Sequence, residues 1–135
     1  MKIVIDASAV AGWLIESQAT PSADQFLGEI DLRELHAPYI FAWEMRNLLV
    51  RRSRRGLDLK GSLAALALYG IEIAPALGED ELSQLVLAAD AHFLSLFDTA
   101  YLALALELDA GLASRDAQLI NAARIEGIEV FDLRG

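Results

Sequence analysis

The stretch Lys2-Ile3-Val4-Ile5-Asp6, near the start of the chain, decides the fold. It is a short run of apolar and mostly β-branched side chains that ends abruptly in a carboxylate, which is typical of a buried strand. Strands that are apolar on both faces belong to parallel sheets, because helices cover both sides of such a sheet. We therefore predict a buried strand over residues 2–5, with Asp6 at its carboxyl end.

The remainder of the chain alternates segments of helical period with further short apolar runs. Ser8 is predicted to cap the first helix, and Pro21 is suited to the first turn of a second. Later helices are predicted over residues 41–54, 58–69, 80–92, 98–108 and 116–125. Later strands are predicted over residues 35–37, 71–73, 111–114 and 128–131. Strands separated by helices imply an α/β fold in which helices flank a parallel sheet on both faces.

Length and composition restrict the class of protein. The 135 residues suit one domain over residues 1–135, and 55% hydrophobic residues exclude intrinsic disorder. The absence of cysteine excludes a disulfide framework, a thiolate zinc site and a cysteine nucleophile. No apolar run exceeds the seven residues of Leu63–Tyr69 and Ala100–Leu106, whereas a membrane span needs about 18. We expect a cytoplasmic protein with no membrane partner.

The charges are unevenly distributed along the chain. The net charge is −9, from 20 acidic and 11 basic residues, and it opposes nonspecific attraction to a phosphate backbone. Five of the bases nevertheless fall in a segment without acidic residues: Arg46, Arg51, Arg52, Arg54 and Arg55. Because arginine forks match phosphate geometry, this segment is a candidate phosphate contact. A site for an acidic partner peptide and a solvated helix face are the alternatives.

Four carboxylates fall where an open parallel sheet binds its ligands, at the carboxyl ends of the strands. Asp6 ends the first strand, and Asp116 follows the strand predicted over residues 111–114. Asp98 is predicted to open a helix, so its carboxylate can point toward the same edge. Glu44 is the one charge within an apolar stretch, and it is predicted to face the interior.

Each of these acids also has an ordinary explanation, since aspartate is a favoured N-cap and a lone glutamate can reach the surface. Clustered carboxylates, however, raise one another's pKa unless a cation lies between them. The cation that fits an all-oxygen site is Mg²⁺ or Mn²⁺, which activates water for attack on a phosphodiester. We predict that Asp6 and Asp98 are direct ligands and that Asp116 holds a second ion or a water. Glu44 is predicted to position the attacking water or to act as general base.

Four motifs carry a family resemblance, in order along the chain. They are IVIDASAVAGWL (3–14), WEMRNLL (43–49), LFDTAYLALA (96–105) and LASRDAQLINAA (112–123). Together they resemble the PIN domain, and within it the VapC-type toxins of toxin–antitoxin pairs. The resemblance implies a three-layer α/β/α fold and Mg²⁺-dependent cleavage of RNA. It also implies a homodimer and a VapB-like antitoxin as partner, so the arginine segment becomes a candidate contact for either RNA or antitoxin.

The resemblance also assigns individual positions. The family's acidic residues fall on the four carboxylates, which we call the acidic quartet: Asp6, Glu44, Asp98 and Asp116. Ser8, Asn47 and Ser114 match positions that support the family's acids. Ser114 stands where threonine is common, and the hydroxyl is preserved.

Two other functions are considered. A haloacid-dehalogenase-like phosphohydrolase also begins with a strand and an aspartate, but it has a second aspartate two residues on, where this chain has Ser8. A catalytically silent PIN-like module would bind RNA or protein, yet it has no reason to keep four mutually repelling acids. Trp13, Trp43 and Tyr101 are predicted to pack in the core or a dimer interface, and the excess of Ala- and Leu-rich helix favours a homodimer.

Overall fold

Strand β1 (Lys2–Ile5) is the middle strand of a five-stranded sheet in the computed structural model, which describes all 135 residues. The other strands are β2 (Glu34–Ala37), β3 (Glu72–Ile73), β4 (Gly111–Ser114) and β5 (Val130–Asp132). Their order across the sheet is β3-β2-β1-β4-β5, and every neighbouring pair is parallel. All carboxyl ends of the strands therefore meet at one edge.

Seven helices cover the two faces of this sheet. Helices α1 (Ala7–Leu14), α2 (Pro21–Gly28), α3 (Tyr39–Ser53) and α4 (Leu59–Leu68) form one layer, in which α1 contacts each of the others. Helices α5 (Glu79–His92), α6 (Leu96–Leu108) and α7 (Ala117–Ile125) form the opposite layer, in which α6 contacts α5 and α7. Short 3₁₀ turns lie at Glu16–Gln18 and Ile30–Leu32. The predicted three-layer α/β/α fold is confirmed.

The centre of the sheet is completely buried. Ile3, Val4 and Ile5 have no exposed surface, as expected for a strand covered on both faces. Ile3 pairs with Leu35 on one side and with Gly111 on the other. A Cβ atom at Gly111 would lie 2.9 Å from Cδ1 of Ile3, so glycine is required there by close packing.

The predicted helices and strands are present with bounds that differ by at most two residues, and three of the differences bear on the site or the sheet. Asp6, not Ser8, caps α1, because its carboxylate accepts the amide of Ala9. Helix α6 begins two residues before Asp98 and is capped by Ser95, so Asp98 lies within its first turn. Strand β5 starts at Val130 instead of residue 128, because the chain turns through Gly127 at a φ of 75° to end α7.

The aromatic residues were only partly predicted. Trp13 packs against Phe26 and Tyr69 and donates its indole N–H to the carbonyl of Ala23. Tyr101 is buried, as predicted. Trp43 is 67% exposed, which excludes the core for this residue and leaves the dimer interface as a prediction. It projects from α3 because the helix uses its other faces to pack on the molecule.

No single helix combines the length and hydropathy needed to cross a membrane. Helices α5 and α6 reach those values only as a pair, and they are bent by 102° where they meet.

Candidate active site

Asp6 lies at the carboxyl end of β1, where it is only 5% exposed and surrounded by hydrogen-bond donors. Its Oδ1 accepts the amide of Ala9 at 2.9 Å and the hydroxyl of Ser8 at 2.7 Å. Its Oδ2 accepts the hydroxyl of Ser114 at the end of the neighbouring strand β4. The carboxylate is thus held rigidly between two adjacent strands.

Burial is the main influence on the charge of Asp6. Burial, with a smaller contribution from the charge of Asp98, raises its pKa from 3.8 to about 6 against the opposing effect of the three hydrogen bonds. The anion at this position therefore lacks a compensating positive charge. A cation beside the carboxylate would supply it.

Asp116 stands at the end of the neighbouring strand and shares a hydroxyl with Asp6. Its Oδ1 accepts the amide of Leu119 and so caps α7. Its own amide donates to Ser114 Oγ at 2.9 Å, while that hydroxyl donates to Asp6. Ser114 has no exposed surface, and it therefore connects the two acids as the resemblance implied.

Asp98 differs from the other two aspartates, because its carboxylate accepts no hydrogen bond from the protein. The N-cap of α6 is Ser95, whose hydroxyl accepts the amide of Asp98. Partial burial and the charges of Asp116 and Glu44 raise the pKa of Asp98. The alternative interpretation of Asp98 as a helix cap is wrong, and its carboxylate lies within the electrostatic reach of the other three.

Glu44 extends from α3 in the opposite helical layer and is fixed by a residue that sequence analysis did not assign to the site. The Tyr101 hydroxyl donates to Glu44 Oε1 at 2.7 Å. Burial, together with the charge of Glu44 and this hydrogen bond, raises the pKa of Tyr101 above its usual value, so it remains a donor. The position of Tyr101, one turn after Asp98 on α6, was the signal that could have revealed it.

Two of the predicted supporting residues reach the cluster and one does not. Ser8 accepts the amide of Arg115 at 3.2 Å while it donates to Asp6. Ser114 bridges Asp6 and Asp116. Asn47 is exposed on α3 and makes no side-chain hydrogen bond, so nothing ties it to the cluster.

The arginine segment divides between two sides of α3. Arg46, Arg51 and Arg54 are exposed. Arg52 is half-buried, and with Arg55 it lines a cavity beside Glu16 and Ser17. The arginines therefore form two separate surfaces, whereas the sequence suggested a single one.

The oxygens of the quartet are more widely spaced than those of a closed metal cage. One group of three has its ligand atoms within 4.8 Å of one another, and it lies elsewhere, at Glu34, His36 and Glu72. There His36 Nε2 lies 2.9 Å from Glu34 Oε1, and Nδ1 lies 3.7 Å from Glu72 Oε2. An open arrangement of carboxylates suits Mg²⁺, which keeps several waters and takes one or two carboxylates at a time.

The donor set of the quartet therefore fits a hard divalent cation. All four side chains offer only oxygen, and no arginine or lysine forms an ion pair with any of them. The pKa values of Asp6 and Asp98 are raised by burial and mutual repulsion, both of which a cation would relieve.

Comparison with known proteins gives consistent relatives. The family model of the PIN domain matches residues 3–125. Ribonuclease VapC3 of Pyrobaculum aerophilum is 29% identical over 123 residues, which cover 88% of this chain and 92% of that protein.

Two solved structures share the fold. PAE2754 of Pyrobaculum aerophilum superimposes with a TM-score of 0.72 at 18% identity, covering 97% of this chain and 90% of the other. VapBC2 of Rickettsia felis, solved with a fragment of promoter DNA, gives a TM-score of 0.60 at 12% identity and covers 96% and 97%.

Proposed function

The chain belongs to the PIN domain family, and from that premise we propose that it is a metal-dependent endoribonuclease, the toxin of a toxin–antitoxin pair. The observation that carries the proposal is the convergence of the acidic quartet at the carboxyl edge of the sheet. A binding module has no need for a buried carboxylate with a pKa of about 6 beside three further acids. The relative named Ribonuclease VapC3 supports RNA as the substrate.

The metal ligands are proposed to be Asp6, Asp98 and Asp116, with Glu44 beside them. Mg²⁺ is the expected ion and Mn²⁺ a substitute, since both prefer oxygen donors. When bound, the ion supplies an activated water and neutralises charge that develops on the phosphodiester. Ser8, Ser114 and the helix amides hold the aspartates in place for it.

Glu44 is proposed to handle the proton of the attacking water. Its Oε1 is occupied by the Tyr101 hydroxyl, which leaves Oε2 to accept that proton. The water oxygen forms a bond to phosphorus as the bond from phosphorus to the leaving ribose oxygen breaks. The alternative phosphohydrolase is disfavoured because the position two residues after Asp6, where that family has a second aspartate, is Ser8, whose hydroxyl donates to Asp6.

The proposed partners are RNA, a VapB-like antitoxin and a second copy of the chain. The antitoxin is suggested by the VapBC2 structure, whose fold this chain shares. The dimer is suggested by large apolar side chains on α5, at its C-cap and at the start of α6, among which Val86, Leu87, Phe93 and Phe97 are at least half exposed.

The metal dependence tests the proposed function. Purified protein should cleave a labelled RNA in the presence of Mg²⁺ or Mn²⁺, and cleavage should stop when EDTA is added. Asp98→Asn should lower the rate about a hundredfold or more, the size of loss that follows removal of one group stabilising transition-state charge. Asp90→Asn, an exposed aspartate on α5, is the matched control and should leave cleavage unchanged.

A stability measurement separates the metal site from contaminating activity. Mg²⁺ at a hundred times its dissociation constant should stabilise the wild type by about 2.7 kcal/mol, and it should stabilise Asp98→Asn much less. Full cleavage in EDTA, or equal cleavage and equal Mg²⁺ stabilisation for the two proteins, would contradict the proposal.

A further inference from the structure

Helix α3 presents an exposed row of residues spaced by three or four positions, which places them on one side of the helix. We call this row the α3 stripe; its members are Trp43, Arg46, Asn47, Val50 and Arg51 of the helix and Arg54, which is its C-cap. All six side chains are exposed. From Trp43 to Arg54 the stripe runs about 16 Å along the helix axis.

The guanidinium groups of the stripe are free of ion pairs. Arg46 donates only to the carbonyl of Ala42 within its own helix. By contrast, Arg33, Arg124 and Arg134 each lie within 4 Å of a carboxylate oxygen. The unpaired arginines form a local positive surface on a chain of net charge −9, so the stripe is complementary to a polyanion.

The indole of Trp43 adds a second kind of contact. It is 67% exposed and borders a shallow depression of about 370 Å³ with Ala42, Arg46, Asn47 and Val50. An exposed indole beside arginines offers a face on which a base can stack, together with groups that donate hydrogen bonds to phosphates. Proteins that bind single-stranded nucleic acid combine these two features.

The stripe is continuous with the candidate active site. Trp43 precedes Glu44 directly, and Asn47 and Arg51 follow it at three and seven positions, on the adjoining line of the helix. Because Glu44 belongs to the acidic quartet, the stripe begins one residue away from it on the same helix.

We propose that the α3 stripe binds single-stranded RNA, with Trp43 stacking on a base and Arg46, Arg51 and Arg54 contacting phosphates next to the scissile bond. This inference rests on the proposed ribonuclease function. RNA is favoured over a partner peptide because the stripe has only two apolar members, Trp43 and Val50, and four polar or cationic ones. An amphipathic helix would need a wider apolar strip.

The opposite side of the same helix supplies a charge-matched control. Arg52 and Arg55 lie beside Glu16 and Ser17, away from the stripe. Arg51→Gln/Arg54→Gln and Arg52→Gln/Arg55→Gln therefore remove the same charge from the same helix end. The probe is a fluorescein-labelled, unstructured RNA of about 12 nucleotides, measured by anisotropy in EDTA over a range of salt concentrations.

The slope of the logarithm of the binding constant against the logarithm of the salt concentration measures the phosphate contacts. We expect Arg51→Gln/Arg54→Gln to reduce the size of this slope by about 1.4, because each phosphate of a single strand that an arginine neutralises contributes about 0.7. Arg52→Gln/Arg55→Gln should leave the slope unchanged. Trp43→Ala should weaken binding about 5- to 150-fold, the range for removal of one base–aromatic stack, and Trp43→Phe should restore most of it. In Mg²⁺ these stripe variants should raise KM for RNA and change kcat little.

The outcomes separate this inference from the proposed function. Cleavage by the wild type with no effect of the stripe variants on binding or KM would overturn the inference alone. Equal slopes for the two double variants would overturn it too, because binding would then follow net charge. Loss of partner-protein binding, with RNA binding intact, would reassign the stripe and overturn it. Stripe-dependent RNA binding without cleavage would support the inference and overturn the ribonuclease proposal, and an absence of both would overturn the two together.

Discussion

Asp6→Asn should make the metal-free protein more stable at neutral pH, although it removes a residue of the proposed metal site. The carboxylate is almost fully buried, and its pKa is raised from 3.8 to about 6. Between these two pH values the folded protein binds a proton that the unfolded chain releases. The contribution of Asp6 to the free energy of unfolding therefore falls as pH rises through this window.

The size of the effect follows from the pKa difference. At about 1.4 kcal/mol for each pH unit, ionisation of Asp6 removes about 3 kcal/mol of stability by neutral pH. Asparagine does not ionise, so the variant escapes this loss. The side-chain oxygen of the asparagine can still accept hydrogen bonds from Ala9 and Ser8. Its NH₂ group replaces the oxygen that accepts from Ser114, so the Ser114 hydroxyl must accept a hydrogen bond instead of donating one.

The assay compares urea unfolding of the two proteins in EDTA between about pH 4 and pH 7.5, the range over which the folded and unfolded pKa values differ. The rearranged hydrogen bonds affect the variant equally at every pH. The way in which the stability difference changes with pH therefore isolates the ionisation of Asp6. From the lowest to the highest pH, the difference in free energy of unfolding should grow by about 3 kcal/mol in favour of the variant. Asp58→Asn is the control, because Asp58 caps α4 through Gly61 outside the cluster.

A stability difference that stays constant within about 0.5 kcal/mol across the range would refute the reasoning. It would mean that Asp6 has the same pKa in the folded and unfolded chains. Addition of Mg²⁺ gives a second check, since the ion should restore stability to the wild type at neutral pH and not to the variant.

Two other substitutions test how the site and the sheet are built. Tyr101→Phe should lower kcat, because Glu44 loses the donor that orients it, and unfolding should become easier by about 1 kcal/mol; a loss confined to KM would contradict the positioning role. Gly111→Ala should destabilise the protein by about 1–3 kcal/mol in urea unfolding, because the new Cβ would meet Ile3 at 2.9 Å. Gly28→Ala, where no atom lies within 4 Å, should have little effect, and equal destabilisation by both would show that packing at the sheet centre is not the cause.

Much of the fold was predictable because its signals are local. The apolar run before Asp6 and the short runs before Pro38 and Asp116 predicted three adjacent strands of the sheet within one residue of their bounds. The last strand was displaced by two residues, since the amide of Ile128 bonds to Ala123 to end α7. That bond depends on the left-handed turn at Gly127, which hydrophobic pattern alone does not reveal.

The acidic residues of the site were predictable from the sequence, but the residue that orients Glu44 was not. Asp6 and Asp116 follow strands directly, so sequence order places them at the same edge. The contact of Tyr101 with Glu44 joins residues 57 positions apart, and only the three-dimensional fold brings together these side chains from helices on opposite faces of the sheet. The sequence left open whether Trp43 lies in the core or at a dimer interface for a similar reason, because an apolar stretch does not show which face of a helix is left uncovered.

Helix capping and the proposed metal binding, which the sequence leaves as alternatives for the aspartates, are compatible within one side chain. Asp116 uses Oδ1 to cap α7 and makes no hydrogen bond through Oδ2, which remains open to a ligand. Asp6 caps α1 and is held by Ser114 on its other oxygen. A capping carboxylate sits at the positive end of the helix dipole, which lowers the cost of its charge. The junction from strand to helix therefore fixes two of the four acids rigidly and offsets part of their repulsion. Asp98 caps nothing and accepts no hydrogen bond, so the proposed cation would stabilise its charge most.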